Sequence, residues 1–413
     1  MKKFAIFSVL AFASFSHAEG PLQPVLQSFV DKHLVPGVVT LVASKDKVLD
    51  LDSAGYASLA SKTPMRKDAV FWIASMSKSL TGAALMMLVD EGKVSLDDAV
   101  EKYLPAFKGQ QVKTADGALH PPKHPITVRE VMCHTSGLVL ANEKGLKKTQ
   151  SLKENVALFA SYPLRQEPGT KYEYNNCGID TGGRIIEVLS GLTYSEFMQK
   201  RLFDPMAMKD TTFWPNEEQA SRLAHTARFT ADKKDLEEIK QDKDVEQRII
   251  DKWSEGVQVP RAVTADMGAG VAFNYAKHFG EPAGGFYSTA ADVGTFCRML
   301  LNGGTLDGKR YLSEKAVKQL SSIQTGETPV SPDSAYGVGF SIKLTDEEGP
   351  SAGSFGHRGA RRTAMWIDPI NELVMVILVE RFDMTGEEQK VMYGGFMKAA
   401  VTAFGKAGKQ PRQ

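Results

Sequence analysis

Ser75 and Lys78 stand three residues apart in Phe71-Trp72-Ile73-Ala74-Ser75-Met76-Ser77-Lys78, a stretch that runs into Leu80, Ala83, Ala84, Met87 and Leu88. Those apolar spacings predict a buried helix over Ser75 to Glu91, with hydroxyl and ammonium on one face of its first turn. A hydroxyl at that end feels the positive pole of the helix dipole, which favours the alkoxide-like character of an attacking serine. The amine one turn later can accept or relay the proton, as in acyl-transferring serine enzymes. The spacing alone decides nothing. Ser44 and Lys47 share it at a predicted hairpin turn, and a serine opening a helix is also an ordinary N-cap.

Two further segments carry compatible chemistry. Tyr174-Asn175-Asn176 follows Glu167-Pro168-Gly169-Thr170, a turn that would present it on a loop. In an extended segment the Tyr174 phenol and the Asn176 carboxamide would lie on one side, the first exchanging protons, the second binding a substrate amide or holding Lys78. Gly356-His357-Arg358-Gly359 precedes a predicted strand. Small residues at Gly359 and Ala360 would let the backbone approach a ligand, so that the Ala360 N–H pairs with the Ser75 N–H as an oxyanion hole. His278-Phe279-Gly280 repeats the pattern outside strand context and is set aside.

The elements that must position these groups follow from periodicity. Residues 22 to 34 have helical apolar spacing, and Val38 to Ala43 with Val48 to Leu51 read as a hairpin. Thr363 to Ile367 and Leu373 to Val379 are strand-like, and Glu387 to Phe404 reads as a closing helix. Between these ends the pattern is helical, at Val128 to Met132, Ile179 to Leu189 and Tyr194 to Leu202. The expected fold is α/β: an antiparallel sheet built from the N- and C-terminal segments, flanked by helices, with an inserted, mostly helical region. We expect one catalytic unit over 19–413, its α/β part about 19–70 and 281–405 and its helical part about 71–280, with the site in the cleft between.

Taken together and in chain order, the three segments resemble the serine β-lactamase-like superfamily, in its class C β-lactamase, D-alanyl carboxypeptidase and esterase branch. Ser75-Met76-Ser77-Lys78, Tyr174-Asn175-Asn176 and His357-Arg358-Gly359 match its S-x-x-K, Y-x-N and K/H-x-G boxes. His134-Thr135-Ser136-Gly137-Leu138, Pro168-Gly169 and Gly284-Gly285-Phe286-Tyr287-Ser288-Thr289-Ala290 match supporting signatures. The resemblance implies a double displacement: Ser75 attacks an acyl carbonyl and water later releases the acyl-enzyme. Tyr174 is then the base and Lys78 its electrostatic partner. Ionising a phenol of pKa about 10 at neutral pH costs roughly 4 kcal/mol. An ammonium about 4 Å away, at an effective dielectric near 20, supplies on the order of 4 kcal/mol.

Two departures bear on substrate. His357 stands where efficient class C β-lactamases carry a lysine, which leans away from strong β-lactam hydrolysis toward esters or peptides. Arg362 replaces the family's usual glycine, which bears on pocket width. Arg358, Arg361 and Arg362 add charge nearby, and Arg358 is a candidate clamp for a substrate carboxylate. His134 and Ser136 read as loop-fixing groups. The expected function is an esterase-like serine hydrolase of small esters or amides. The alternatives are a D-alanyl peptidase or weak β-lactamase, and a non-enzymatic relative that binds cell-wall peptides.

The bulk numbers exclude other classes. With 413 residues, 50 Lys+Arg against 49 Asp+Glu and a net charge of +1, nothing attracts nucleic acid or an anionic membrane through bulk field. Lys2-Lys3, the apolar run Phe4 to Phe15 and Ser16-His17-Ala18 read as an export signal over 1–18, too short to span a bilayer, so a periplasmic or secreted protein without stable membrane insertion is expected. Cys133, Cys177 and Cys297 read as buried thiols. No cofactor or metal is implied, since Pro121 and Pro122 break the helix that would align His120 and His124. An ordinary α/β-hydrolase is set aside on the expectation that its Gly-x-Ser-x-Gly elbow is absent. The charged stretch Asp232 to Lys252 reads as a solvated excursion.

Overall fold

The computed structural model describes residues 20–140, 151–239, 279–346 and 349–406. The expected leader, the charged stretch beyond Ile239, and His278 lie outside the described residues.

The apolar runs at both chain ends meet in one eight-stranded antiparallel sheet. From the N-terminal side come β1 (Gly37–Ala43), β2 (Val48–Ser58) and β3 (Thr63–Pro64). After a short pair, β4 (Phe71–Trp72) with β5 (Tyr287–Ser288), the C-terminal part adds β6 (Ser334–Tyr336), β7 (Ser341–Lys343), β8 (Phe355–Arg358), β9 (Ala364–Asp368) and β10 (Leu373–Val379). The order is β6-β7-β8-β9-β10-β1-β2-β3, so β1 and β10 join the two ends in register from Val38 opposite Val379 to Ala43 opposite Val374. This is the expected sheet.

Both faces of the sheet are covered, which explains why β1 and β10 are buried at every position. Successive side chains alternate between the faces. Val39, Leu41, Val374, Val376 and Leu378 enter a core shared with the helical region. Val38, Val42, Met375, Ile377 and Val379 enter another beneath α1 (Gln23–Asp31) and the C-terminal helix Gly386–Phe404. On the inner side, α2 (Ser77–Asp90) is buried continuously from Ser77 to Leu88. It packs beside α3 (Asn176–Ser190), whose cap is a left-handed Gly191.

Three local expectations change. The helix expected from Ser75 begins at Ser77, after a 3-10 turn over Ala74–Met76. The helix expected over Tyr194 to Leu202 ends at Met198 and continues as a π turn, Gln199–Phe203, and a 3-10 turn, Asp204–Met206, that takes Pro205. The Gly-x-Ser-x-Gly spacing does occur, at Gly349-Pro350-Ser351-Ala352-Gly353, contrary to the expected absence. It lies in the connection between antiparallel strands β7 and β8, with no helix after it, and Ser351 Oγ donates to Asp368 at 3.1 Å. That placement is a turn stabilised by a carboxylate and not a nucleophile elbow. All three cysteines are buried and unbridged. No helix among the described residues is long and apolar enough to cross a membrane.

Candidate active site

The approach to Ser75 is fixed before the helix begins. Phe71 and Trp72 pair with Ser288 and Tyr287, the Ile73 N–H donates to the Phe286 carbonyl at 3.0 Å, and Trp72 Nε1 donates to the Gly284 carbonyl at 2.7 Å. The Gly284 to Ala290 signature is therefore the rail on which the nucleophile strand is hung. Ala74 then takes φ +46, a left-handed conformation rare outside glycine, and turns the chain so that Ser75 heads α2.

Lys78, completely buried, donates through Nζ to Ser75 Oγ at 3.1 Å and to the Ala283 carbonyl at 2.6 Å. Among the described residues no carboxylate pairs with it. Its ammonium also stands 4.8 Å from the centre of the Tyr174 ring. Tyr174 is 43% exposed, so its side chain reaches solvent beside the buried Lys78.

The loop that presents Tyr174 is held by Asn175, which the sequence reading did not single out, together with His134. Asn175 is the N-cap of α3: its Oδ1 accepts the Cys177 N–H at 2.8 Å, and its Nδ2 donates to the Leu138 and Val139 carbonyls at 2.9 and 3.0 Å. Its own N–H donates to His134 Nδ1 at 3.1 Å. His134 thus fixes the loop as expected; it sits at φ +65, fully buried, 4.5 Å from the Tyr174 ring. Burial, then the Lys78 charge, holds its pKa well below the usual histidine value. The extended Tyr-x-Asn geometry is not formed: Asn176 is already the first residue of α3, and the role of holding Lys78 belongs to the Ala283 carbonyl. Asparagine ahead of a helical apolar pattern is an N-cap signal that would have found Asn175. A backbone carbonyl such as that of Ala283 leaves no sequence signal.

β8 brings the third segment in. The Gly359 N–H donates to the Thr363 carbonyl at 2.7 Å, and Thr363 Oγ1 donates to the Ile73 carbonyl at 3.3 Å, tying the end of β8 to the nucleophile turn. A Cβ at Gly359 would run into Thr363 Oγ1 and come 2.6 Å from the Ile73 oxygen, so glycine is what permits this approach. The N–H groups of Ser75 and Ala360 have no acceptor among the described residues. His357 is buried, 6.2 Å from the Tyr174 ring, with Nε2 2.9 Å from the Tyr336 hydroxyl and Nδ1 2.8 Å from the Arg358 carbonyl.

The arginines are a correction. Side chains alternate along β8, so Arg358 points away from His357 and stacks 4.4 Å over the Tyr393 ring of the C-terminal helix. It lies on the face of β8 opposite His357, against the C-terminal helix, and not beside Lys78 as the carboxylate-clamp reading expected. Arg361 is buried against the Trp72 and Phe382 rings, and Arg362 donates to the Phe382 and Met384 carbonyls. Arg362 also has φ +75, the conformation for which a glycine is the usual residue.

A buried lysine on a serine hydroxyl, a tyrosine beside it and a glycine-edged strand make the geometry of the β-lactamase fold, and comparison decides the family. A family model described as Beta-lactamase matches residues 22–392. The chain belongs to the Beta-lactamase family. Protein Rv1367c of Mycobacterium tuberculosis is 28% identical over 386 residues, covering 87% of this chain and 89% of that protein. The lovastatin esterase of Penicillium rubens is 33% identical over 178 residues, 39% of this chain and 44% of that enzyme. Among solved structures, EstCE1, a hydrolase with promiscuous acyltransferase activity, superposes with TM-score 0.71 at 21% identity, covering 91% of this chain and 97% of that one. Simvastatin synthase from Aspergillus terreus, unliganded, gives 0.69 at 17% identity over 94% and 99%. Both structures share the β-lactamase fold with this chain.

Proposed function

We propose that the protein is a serine hydrolase that passes an acyl group through Ser75 and acts on small esters or amides that carry no carboxylate on the β8 side. The observation that carries the reading is Lys78 Nζ 3.1 Å from Ser75 Oγ with no carboxylate partner among the described residues. In acylation, Ser75 Oγ bonds to the acyl carbon as its proton passes to Tyr174, and the bond to the leaving alcohol or amine breaks as that proton is returned to it. In deacylation Tyr174 takes a proton from water, the water oxygen bonds to the acyl carbon, and Ser75 recovers its hydroxyl. Lys78 supplies positive charge beside Ser75 Oγ and the Tyr174 ring. The Ser75 and Ala360 N–H groups receive the oxyanion of each tetrahedral intermediate. Gly359 lets the end of β8 lie against the Ile73 backbone next to the nucleophile turn.

The preference for uncharged substrate follows from what the cations near β8 are doing. His357 has both ring nitrogens engaged in neutral hydrogen bonds, Arg358 is stacked on the far face, and Arg361 and Arg362 are built into the turn. The lovastatin esterase among the relatives supports the ester reading. The Lys2-Lys3 leader supports export to the periplasm or beyond.

The test is a panel of a short-chain nitrophenyl ester, a chromogenic cephalosporin and a D-alanyl dipeptide. The ester is expected to show the highest kcat/KM; faster turnover of the cephalosporin or the dipeptide would overturn the substrate assignment. Binding of cell-wall peptide with no turnover of any member would favour the non-enzymatic alternative.

A further inference from the structure

Glu380 directly follows β10 and is 1% exposed, a carboxyl lying behind the two segments that carry the Ser75 and Ala360 N–H groups. Three stretches of chain meet on it. Thr226 Oγ1 donates to Oε2 at 3.0 Å, and the Trp72 backbone N–H also donates to the carboxyl. The charged group that faces it is Arg361, whose guanidinium lies 5.7 Å from the Trp72 ring and 4.8 Å from the Phe382 ring. Backbone bonds close the arrangement: Ala227 N–H to the Glu380 carbonyl at 2.9 Å, and Arg381 N–H to the Arg361 carbonyl at 3.2 Å. Oε1 has no hydrogen-bond partner among the described residues.

Trp72 is three residues before Ser75, and Arg361 is the residue after Ala360. We infer that Glu380 is a positioning residue of the oxyanion hole: its carboxyl holds the Trp72 strand, while the backbone after it, through the Arg381 N–H on the Arg361 carbonyl, sets the Arg361 turn at the spacing that lets the Ser75 and Ala360 N–H groups converge. The inference rests on the reading of Ser75 as the acylated nucleophile. The link is short and stiff: β4 is paired to β5, Ala74 is locked in its left-handed turn, and Thr363 ties the β8 end to Ile73. A displacement of Trp72 therefore reaches the amide at Ser75, and a misplacement of about 1 Å costs on the order of a hundredfold in rate. Burial pushes the Glu380 pKa up to about 8, against the opposing pull of Arg361, Thr226 and the Trp72 N–H. Near neutral pH the protonated carboxyl keeps the bonds from Thr226 and the Trp72 N–H without setting a negative charge behind a forming oxyanion. Once ionised, it opposes that charge.

The test measures kcat and KM for a nitrophenyl ester, and the rate of fluorophosphonate labelling, from about pH 6 to about pH 9, a range that brackets the Glu380 ionisation. Wild type, Glu380→Gln, Glu380→Ala and Thr226→Val are compared. Glu380→Ala is expected to lose about a hundredfold in kcat and labelling rate with KM within about twofold. Glu380→Gln, which mimics the protonated acid, is expected to recover most of the neutral-pH rate and to keep it above about pH 8, where wild type declines. Thr226→Val removes one hydrogen bond and is expected to cost about threefold in kcat. A folded Glu380→Ala with wild-type kcat overturns the inference, as does a Glu380→Gln equally impaired or declining with pH as wild type does. Should Glu380→Ala fail to fold, a Thr226→Val protein with wild-type kcat at every pH does the same. Wild type that takes no label at Ser75 overturns the underlying reading instead, and with it this inference.

Discussion

The Tyr336 hydroxyl lies 2.9 Å from His357 Nε2, and the Arg358 carbonyl lies 2.8 Å from Nδ1 of the same ring. A carbonyl only accepts, so Nδ1 carries the proton and Nε2 takes the Tyr336 O–H. Burial, then the Lys78 charge, pushes the His357 pKa down to about 3, so the box beside the cleft presents a neutral imidazole. His357→Lys puts a fixed cation there. It is expected to raise the ratio of cephalosporin to ester kcat/KM about tenfold, as one new charge contact would. The same panel of substrates measures it.

Tyr174→Phe removes the proton acceptor without disturbing what holds the loop, because Asn175 and His134 make the anchoring bonds. The expected loss is at least about a hundredfold in kcat, with an unchanged unfolding midpoint. Steady-state kinetics beside a urea titration separates chemistry from folding.

Arg358→Ala tests the corrected placement of that side chain. An exposed guanidinium stacked on Tyr393 contributes about 0.5–1 kcal/mol, and that much stability is expected to go. The Michaelis constant for an anionic substrate is expected to stay within about twofold of wild type, since the arginine faces the C-terminal helix. A large rise in that constant would return Arg358 to the cleft.

Acid stability carries the signature of two buried neutral imidazoles. His357 and His134 have folded pKa values below the ordinary 6.5, so the unfolded chain binds their protons first. The stability they contribute is complete above 6.5 and is lost as pH falls from there toward about 3. Glu380 runs the other way: its pKa is raised from 4.5 to about 8, so its contribution is present below 4.5 and is lost as pH rises through about 8. His357→Asn is expected to flatten the fall in urea midpoint between pH 6.5 and the acid limb, and Glu380→Gln to flatten the opposing trend up to about pH 8.

Much of the architecture is legible because burial leaves a periodic mark. The apolar runs Val38 to Ala43 and Leu373 to Val379 read as strands and are found as β1 and β10, and the apolar spacing after Ser75 reads as a buried helix and is found as α2. Motif spacing likewise singled out Ser75, Lys78 and Tyr174, which the fold brings within contact range. What the spacing could not convey is direction and backbone chemistry. Arg358 and His357 are neighbours in sequence yet face opposite layers, and the bond that holds Lys78 goes to the Ala283 carbonyl, a group every residue type possesses. Tyr336 belongs to no motif, and its partnership with His357 reaches across β7, which lies between their strands β6 and β8.

The most direct measurement is intact and peptide mass spectrometry after exposure to a fluorophosphonate probe. Wild type is expected to gain one phosphonyl group on the peptide carrying Ser75, and Ser75→Ala to take no label and to turn over no activated ester. Label on any other serine, Ser351 included, or ester turnover by Ser75→Ala at the wild-type rate, would contradict the assignment of the nucleophile.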